Sequence, residues 1–220
     1  MSYPSEITGT IYGTLLNHRS TLAAMGEALT QAPYKAPPQA PVLYIRPVNT
    51  WNTTGASIAV PSGIAELETG LTLGLVFASD SYRVSPDKAL DALAGYVLIN
   101  DFTVPHSSVY RPAIYNRCRD GFCVIGSNLI AHDAIGDPDA LDMRCFINGQ
   151  LQQQTSTRDL VRPVRQLIAD VSAMFTLQQG DVLCIGTAAA APRAKAGDQV
   201  AIEIDGLGRL ENTLQPEAAP

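Results

Sequence analysis

Short β-type apolar runs recur from one end of the chain to the other, each cut off by glycine, proline or a Gly-Asp or Asn-Gly pair, so strands must carry most of the fold. "GTIYGTLLNHRS" runs from a strand into a polar turn, "VLYIRPVNT" is stopped by Pro47, and "LTLGLVFAS" and "YVLIND" are further strands. "LDMRCFINGQLQQQ" reads as a hairpin turning at Asn148-Gly149, and "GDVLCIGT" and "GDQVAIEIDGLGRLEN" supply the last strands. Helical patterns are few. "TLAAMGEALTQA" is weak; "SPDKALDALAGY" reads as a helix with Ser85 as N-cap, Pro86 at its first position and Gly95 closing it. "TRDLVRPVRQLIADVSAMF" is amphipathic, with Leu160, Val164, Leu167, Ile168, Val171 and Phe175 on one face and Pro163 in its first turns. "APYKAPPQAP" reads as an ordered loop or flap. The class is therefore mixed and mainly β (α+β): one domain over residues 1–220, with 1–8 and 213–220 expected as flexible tails.

A chain of 220 residues suffices for one sizeable core. Its net charge of -6, with lysines and arginines scattered, gives no footprint for nucleic acid. The apolar runs fall far short of a membrane span and "MSYPSEITGT" lacks signal-peptide blocks, so a soluble, cytoplasmic protein is expected. Cys118, Cys123, Cys145 and Cys184 lack zinc-site spacing and read as reduced core thiols.

The densest polar and aromatic stretch is "INDFTVPHSSVYRPAIYNRCRDGF". Asp101 stands at a strand end, and Tyr110, Arg111, Arg117, Arg119 and Asp120 follow. Guanidinium forks grip carboxylates bidentately, so three arginines near a strand-end acid suit an anionic small molecule such as a dicarboxylate. The alternative is that Arg119 and Asp120 pair with each other and hold the loop. In "AELETGLTLGLV", Glu66 and Glu68 lie two residues apart, a strand spacing that puts both on one face, as a divalent-metal site would want. His106 and His132 lie in loops without ligand spacing.

Together "GTIYGTLLNHRS", "APYKAPPQAPVLYIRPVNT", "LAGYVLINDFT", "YRPAIYNRCRDGFCVIG", "FINGQLQQQ", "LQQGDVLCIGT" and "GDQVAIEIDGLGRLEN" resemble the fumarylacetoacetate hydrolase family, from about Gly9 to Asn212. Within it they are similar to the first half, or first subunit, of the decarboxylase–isomerases of 4-hydroxyphenylacetate (homoprotocatechuate) meta-cleavage. The resemblance implies a β-rich roll with a few helices. It also implies a part in decarboxylating 5-carboxymethyl-2-oxo-hex-3-ene-1,7-dioate and isomerising 2-hydroxyhepta-2,4-diene-1,7-dioate, with an oxo-dicarboxylate ligand. The expected assembly is a homodimer, or a heterodimer with a paralog bearing a full site. The alternative is a non-catalytic paralog that completes a dimer with a metal-bearing subunit.

The family binds Mg²⁺ or Mn²⁺ through a Glu-x-Glu pair and a later aspartate, and the resemblance puts Asp101 at the aspartate and Gly70 and Thr72 at the glutamates. Glu68 is a weak substitute, and no cofactor is expected in this chain. Glutamates installed at 70 and 72 would be expected to meet Asp101 across the strands. Thr21 and Ala24 stand where catalytic relatives carry His and Glu; His18, nearby, is expected to cap a turn or touch a ligand carboxylate. Arg46 and Arg117 replace family lysines, and Gly186 and Thr187 match a Gly-Thr that contacts a keto-acid carboxylate. The cluster and the resemblance together give Asp101, Tyr110 and Arg117 as the expected catalytic residues, and Arg46, Arg111, Arg119, Gly186 and Thr187 as the expected substrate-binding ones.

Overall fold

The computed structural model describes residues 2–108 and 113–218. Among the described residues an eight-stranded sheet runs in the order β2 (Val42–Arg46), β1 (Ile11–Leu15), β12 (Val182–Cys184), β6 (Leu71–Phe77), β7 (Leu93–Asp101), β8 (Cys123–Ile125) and β3 (Trp51–Thr53). Its eighth strand, β9 (Ile130–Ala131), also pairs with β7. A five-stranded sheet orders β11 (Gln150–Ser156), β10 (Asp142–Ile147), β14 (Gln199–Ile204), β15 (Gly208–Pro216) and β4 (Ser57–Val60), and β13 (Arg193–Ala194) pairs with β5 (Leu67–Glu68). The helices are α1 (Arg19–Met25), α2 (Ile114–Arg117) and α3 (Val164–Met174). This is the mainly β architecture that the punctuated apolar runs predict.

Both faces of the large sheet are apolar, which is why β6 is buried at every residue. Leu71, Leu73, Leu75 and Phe77 enter the main core with Leu167, Ile168 and Val171 of α3. The alternate residues Val76, Val97 and Ile99 join Ile11, Val182 and Cys184 in a second cluster on the opposite face. Asn148 and Gly149, with φ of 51° and 76°, supply the left-handed pair that the tight β10–β11 turn requires.

Three expectations are corrected. "SPDKALDALAGY" forms a 3₁₀ run over Pro86–Ala92, and β7 begins at Leu93. Gly95 does not close a helix; it lies in β7 opposite Ala131, where a Cβ would collide with the Ile130 carbonyl. α3 starts only after Pro163, and Leu160 is buried before it, following a 3₁₀ turn at Thr157–Asp159. Described residues of the expected tails are held in place: Ile7 is buried, the amide of Thr8 donates to the Gly180 carbonyl at 3.2 Å, and Tyr3 meets Trp51 edge to face. Residues Thr213–Pro216 extend β15 and pair in parallel with β4. Cys123, Cys145 and Cys184 are buried, Cys118 is half-buried, and all four are free thiols, as expected.

Candidate active site

The period-2 alternation of β2 sends Tyr44 and Arg46 to the same face as Gly13 and Ile11 of β1, their ladder partners. Gly13 is required there because any Cβ would overlap the Tyr44 ring. Asp101 ends β7 and pairs with Gly70, which leads into β6; the Asp101 amide donates to the Gly70 carbonyl at 3.0 Å. The two strand ends therefore deliver Tyr44, Arg46 and Asp101 to one point. The Arg46 side chain is 1% exposed and that of Asp101 2%.

At that point the aspartate is saturated with donors. Arg46 Nε and Nη2 engage Asp101 Oδ1, and the Tyr44 hydroxyl donates to Oδ2. Arg117 Nη1, from the end of α2, reaches the same Oδ2 at 3.1 Å. The remaining Arg46 donors go to the carbonyls of Arg117 and Phe102. Arg117 lies over the Tyr44 ring, 4.6 Å from its centroid. Burial alone would lower the pKa of Arg46, but the adjoining Asp101 charge overrides it and the net direction is upward. Burial, with the Asp101 charge, pushes the Tyr44 phenol well above its usual range, so it remains a donor.

This cluster floors a cavity of about 470 Å³ lined by Leu15, Thr21, Glu68, Asp101, His106 and Arg117, with the 187–191 segment and Arg193 closing the other side. The 187–191 wall is fixed from α1: Thr21 Oγ1 donates to the Thr187 carbonyl at 3.2 Å, and the Ala189 amide donates to Ser20 Oγ at 3.0 Å. His18 caps α1, its Nδ1 accepting from the Ser20 amide at 3.2 Å, while its Nε2 meets Thr155 Oγ1 at 2.9 Å. Burial lowers the His18 pKa, against the opposing charge of Asp159, so the ring is neutral near pH 7.

The site residues expected from sequence separate into groups. Asp101, Arg117 and Thr187 line the cavity, and Glu68 joins them in an ion pair with Arg193 at 2.9 Å. Arg46 lies beneath the floor, holding Asp101 rather than facing the cavity. Gly186 adopts a φ of 102° just before Thr187 and shapes the turn. Arg119 does not join the cluster: it donates to the Tyr115 carbonyl at 3.0 Å and stacks on that ring, while Asp120 accepts from Asn49, so the two do not pair with each other. Tyr110 and Arg111 lie outside the described residues. Tyr44, His106 and Arg193 are additions. Tyr44 was findable from its place two residues before Arg46 on the same strand face; His106 and Arg193 carried no such signal.

The residues present do not fit the family's divalent ion. Asp101 has two guanidinium groups and a phenol where a cation would sit. Gly70 and Thr72 do face Asp101 and Ile99, as the register required, but a Cβ at Gly70 would run into the Asp101 carbonyl. A glutamate at position 70 would thus need the two strands to shift before it could reach a ligand, which counts against the expectation that the pair would build a site. Among the described residues no group of three His, Cys, Asp or Glu side chains is disposed to hold a metal.

The curled strand-rich body and this cavity belong to a known class. The fumarylacetoacetate (FAA) hydrolase C-terminal family model matches residues 10–215, and the chain belongs to that family. It is 40% identical over 209 residues to the 4-hydroxyphenylacetate degradation bifunctional isomerase/decarboxylase of Escherichia coli, covering 95% of this chain and 48% of that protein. The enzyme of the same name from Salmonella dublin is 38% identical over the same shares. The chain thus spans about half the length of the curated relatives it matches. Among solved structures it is similar to the fumarylpyruvate hydrolase of Pseudomonas aeruginosa in complex with Mn²⁺ and pyruvate, with a TM-score of 0.83 and 20% identity over 96% of this chain and 91% of that one. It is also similar to 5-carboxymethyl-2-hydroxymuconate delta-isomerase from Mycobacterium smegmatis, with a TM-score of 0.81 and 23% identity over 97% of this chain and 81% of that one.

Proposed function

We propose that this chain is a metal-independent isomerase, acting on unsaturated oxo-dicarboxylates such as 2-hydroxyhepta-2,4-diene-1,7-dioate within a decarboxylase–isomerase system. The observation that carries the reading is the Arg46–Asp101–Arg117 cluster, which puts fixed positive charge at the cavity floor in the place of a cation. A double-bond shift in a conjugated keto acid needs a proton relay and stabilisation of a dienolate oxygen, and a guanidinium supplies the second. Arg117 is placed for this. Only its Nη1 is spent on Asp101 and Tyr44, and its Nε is buried without a partner among the described residues. Arg193, across the cavity, gives only Nη2 to Glu68 and is placed to receive a ligand carboxylate on its remaining donors. Asp101, with both oxygens engaged, anchors these cations rather than moving protons.

The non-catalytic alternative is not favoured, because a purely structural paralog has no need of a cavity lined by Arg117, His106 and Arg193. Decarboxylation, in which the family uses a metal, is assigned to a second family domain with which this chain pairs. The length of the curated relatives supports that pairing, as do the exposed Ile45, Val48, Ile114 and Tyr115 beside the site. The test is turnover of 2-hydroxyhepta-2,4-diene-1,7-dioate by the purified chain in EDTA, alone and mixed with a metal-bearing paralog, alongside light scattering. Isomerisation in EDTA by the chain alone is expected. Activity that appears only with added Mg²⁺ or Mn²⁺ refutes the reading.

A further inference from the structure

Resting on the isomerase reading, we propose that His106 is the base and acid of the cavity, passing the proton between the ends of the conjugated system. Five charged or titratable side chains among the described residues line the cavity: Glu68, Asp101, His106, Arg117 and Arg193. Glu68 is paired with Arg193, both Asp101 oxygens are occupied, and the two arginines cannot give up a proton in water. His106 alone among them combines a place on the wall with an acceptor that has no partner among the described residues. Its Nδ1 lies 2.9 Å from the Val104 carbonyl and 3.5 Å from Thr103 Oγ1. A carbonyl only accepts, so Nδ1 carries the hydrogen and Nε2 carries the lone pair.

The ring is also held in place. Thr103 is bridged to Glu68 through paired backbone hydrogen bonds of 2.9 and 3.1 Å, and the Val104 amide donates to the Asn116 carbonyl at 3.0 Å. The loop bearing His106 is therefore fastened on one side to β5, which presents Glu68, and on the other to α2, which presents Arg117. Base and enolate-stabilising cation are thus tied to each other through the Val104–Asn116 hydrogen bond, the arrangement that proton transfer to a charge-stabilised dienolate requires.

For 2-hydroxyhepta-2,4-diene-1,7-dioate the step balances as follows. His106 Nε2 takes the proton of the 2-hydroxyl, that O–H bond breaks, and the oxygen charge faces Arg117. The electron pair returns as the C2 carbonyl, the double bond settles between C3 and C4, and the imidazolium delivers a proton to C5. No oxidant, reductant or co-reactant is needed.

The experiment follows isomerisation of this dienol by the full chain in D₂O, with deuterium entry at C5 read by NMR. A wild-type chain that neither isomerises nor labels the substrate overturns the isomerase reading and this inference with it. With an active wild type, His106→Ala is expected to lose about 100-fold or more in rate, the lower end for removal of a positioned acid–base group, and to regain rate with added imidazole. Its circular dichroism and urea midpoint should stay at wild-type values. His106→Gln, which keeps a donor for Val104 but has no base, should be equally slow and decides the matter if the alanine variant does not fold. Rates within about threefold of wild type in either variant, or a folded His106→Ala that imidazole does not rescue, would overturn the role of His106 and leave the isomerase reading standing.

Discussion

Replacing Arg46 with methionine removes the side chain on which the cavity floor depends, and the cost follows from its contacts. Arg46 is fully buried, pairs with a buried Asp101, and donates to two backbone carbonyls. Solvent does not screen this pair, so the figures for exposed ion pairs do not apply. Removing one partner of a buried pair costs about 3–5 kcal/mol, because the remaining charge is left without its counter-charge. Arg117 and Tyr44 still reach Asp101 Oδ2 and keep the loss from growing, while the two orphaned carbonyls push it toward the upper end. With a urea m-value of about 3 kcal/mol/M, the midpoint should fall by about 1–1.7 M. Trp51, the single tryptophan, donates from Nε1 to the Arg46 carbonyl at 3.1 Å and so reports from beside the substitution. Arg46→Met combined with Asp101→Leu should recover part of the loss, since the buried carboxylate leaves with its partner and only Arg117, 13% exposed beside the cavity, keeps an unpaired charge. A midpoint shift under about 0.3 M for Arg46→Met, the range of an exposed pair, would refute the buried cluster.

Gly70→Ala should destabilise by about 1–3 kcal/mol, read as a lower urea midpoint, because the new Cβ meets the Asp101 carbonyl in the strand pair. Stability should fall between pH 7 and pH 5 by an amount that His18→Gln reduces. Burial lowers the folded-state pKa of His18 below its ordinary 6.5, so the unfolded chain takes up the proton first, and stability is lost as the pH drops through that window. Native protein should offer one thiol, Cys118, to Ellman's reagent at pH 8. Burial raises Cys145 to about 11, Cys123 to about 12 and Cys184 well above the ordinary thiol value, and these three should react only in denaturant.

Local periodicity was enough to find β1, β2, β6, β7, β12, β14 and β15, the Asn148-Gly149 hairpin and α3, since each is decided within about a dozen residues, while the short β3, β4, β5, β8, β9 and β13 carried too few residues to show a period. Residues Pro86–Ala92 deceived it: Pro86 does open a helical run behind Ser85, but Ser85 makes no side-chain cap, the run is 3₁₀, and β7 begins at Leu93, before Gly95. The site was half legible. Asp101 and Arg117 stood out as a strand-end acid and a nearby guanidinium, but their pairing with Arg46 and Tyr44 depends on contacts 55 and 57 residues apart. No local pattern distinguishes Arg117, turned inward from the last residue of α2, from Arg119, which reaches the surface two residues later. His106 looked idle for the same reason: its value comes from a cavity whose other wall lies more than 80 residues away.

The central claim, that two guanidinium groups hold the place of a divalent ion at Asp101, is tested most directly by titrating Mn²⁺ into the metal-free chain in a calorimeter. With Asp101 paired to Arg46 and Arg117, affinity no tighter than about millimolar is expected, since a hard divalent ion would find no oxygen set among the described residues to coordinate it. Micromolar binding that disappears in Asp101→Ala would contradict it.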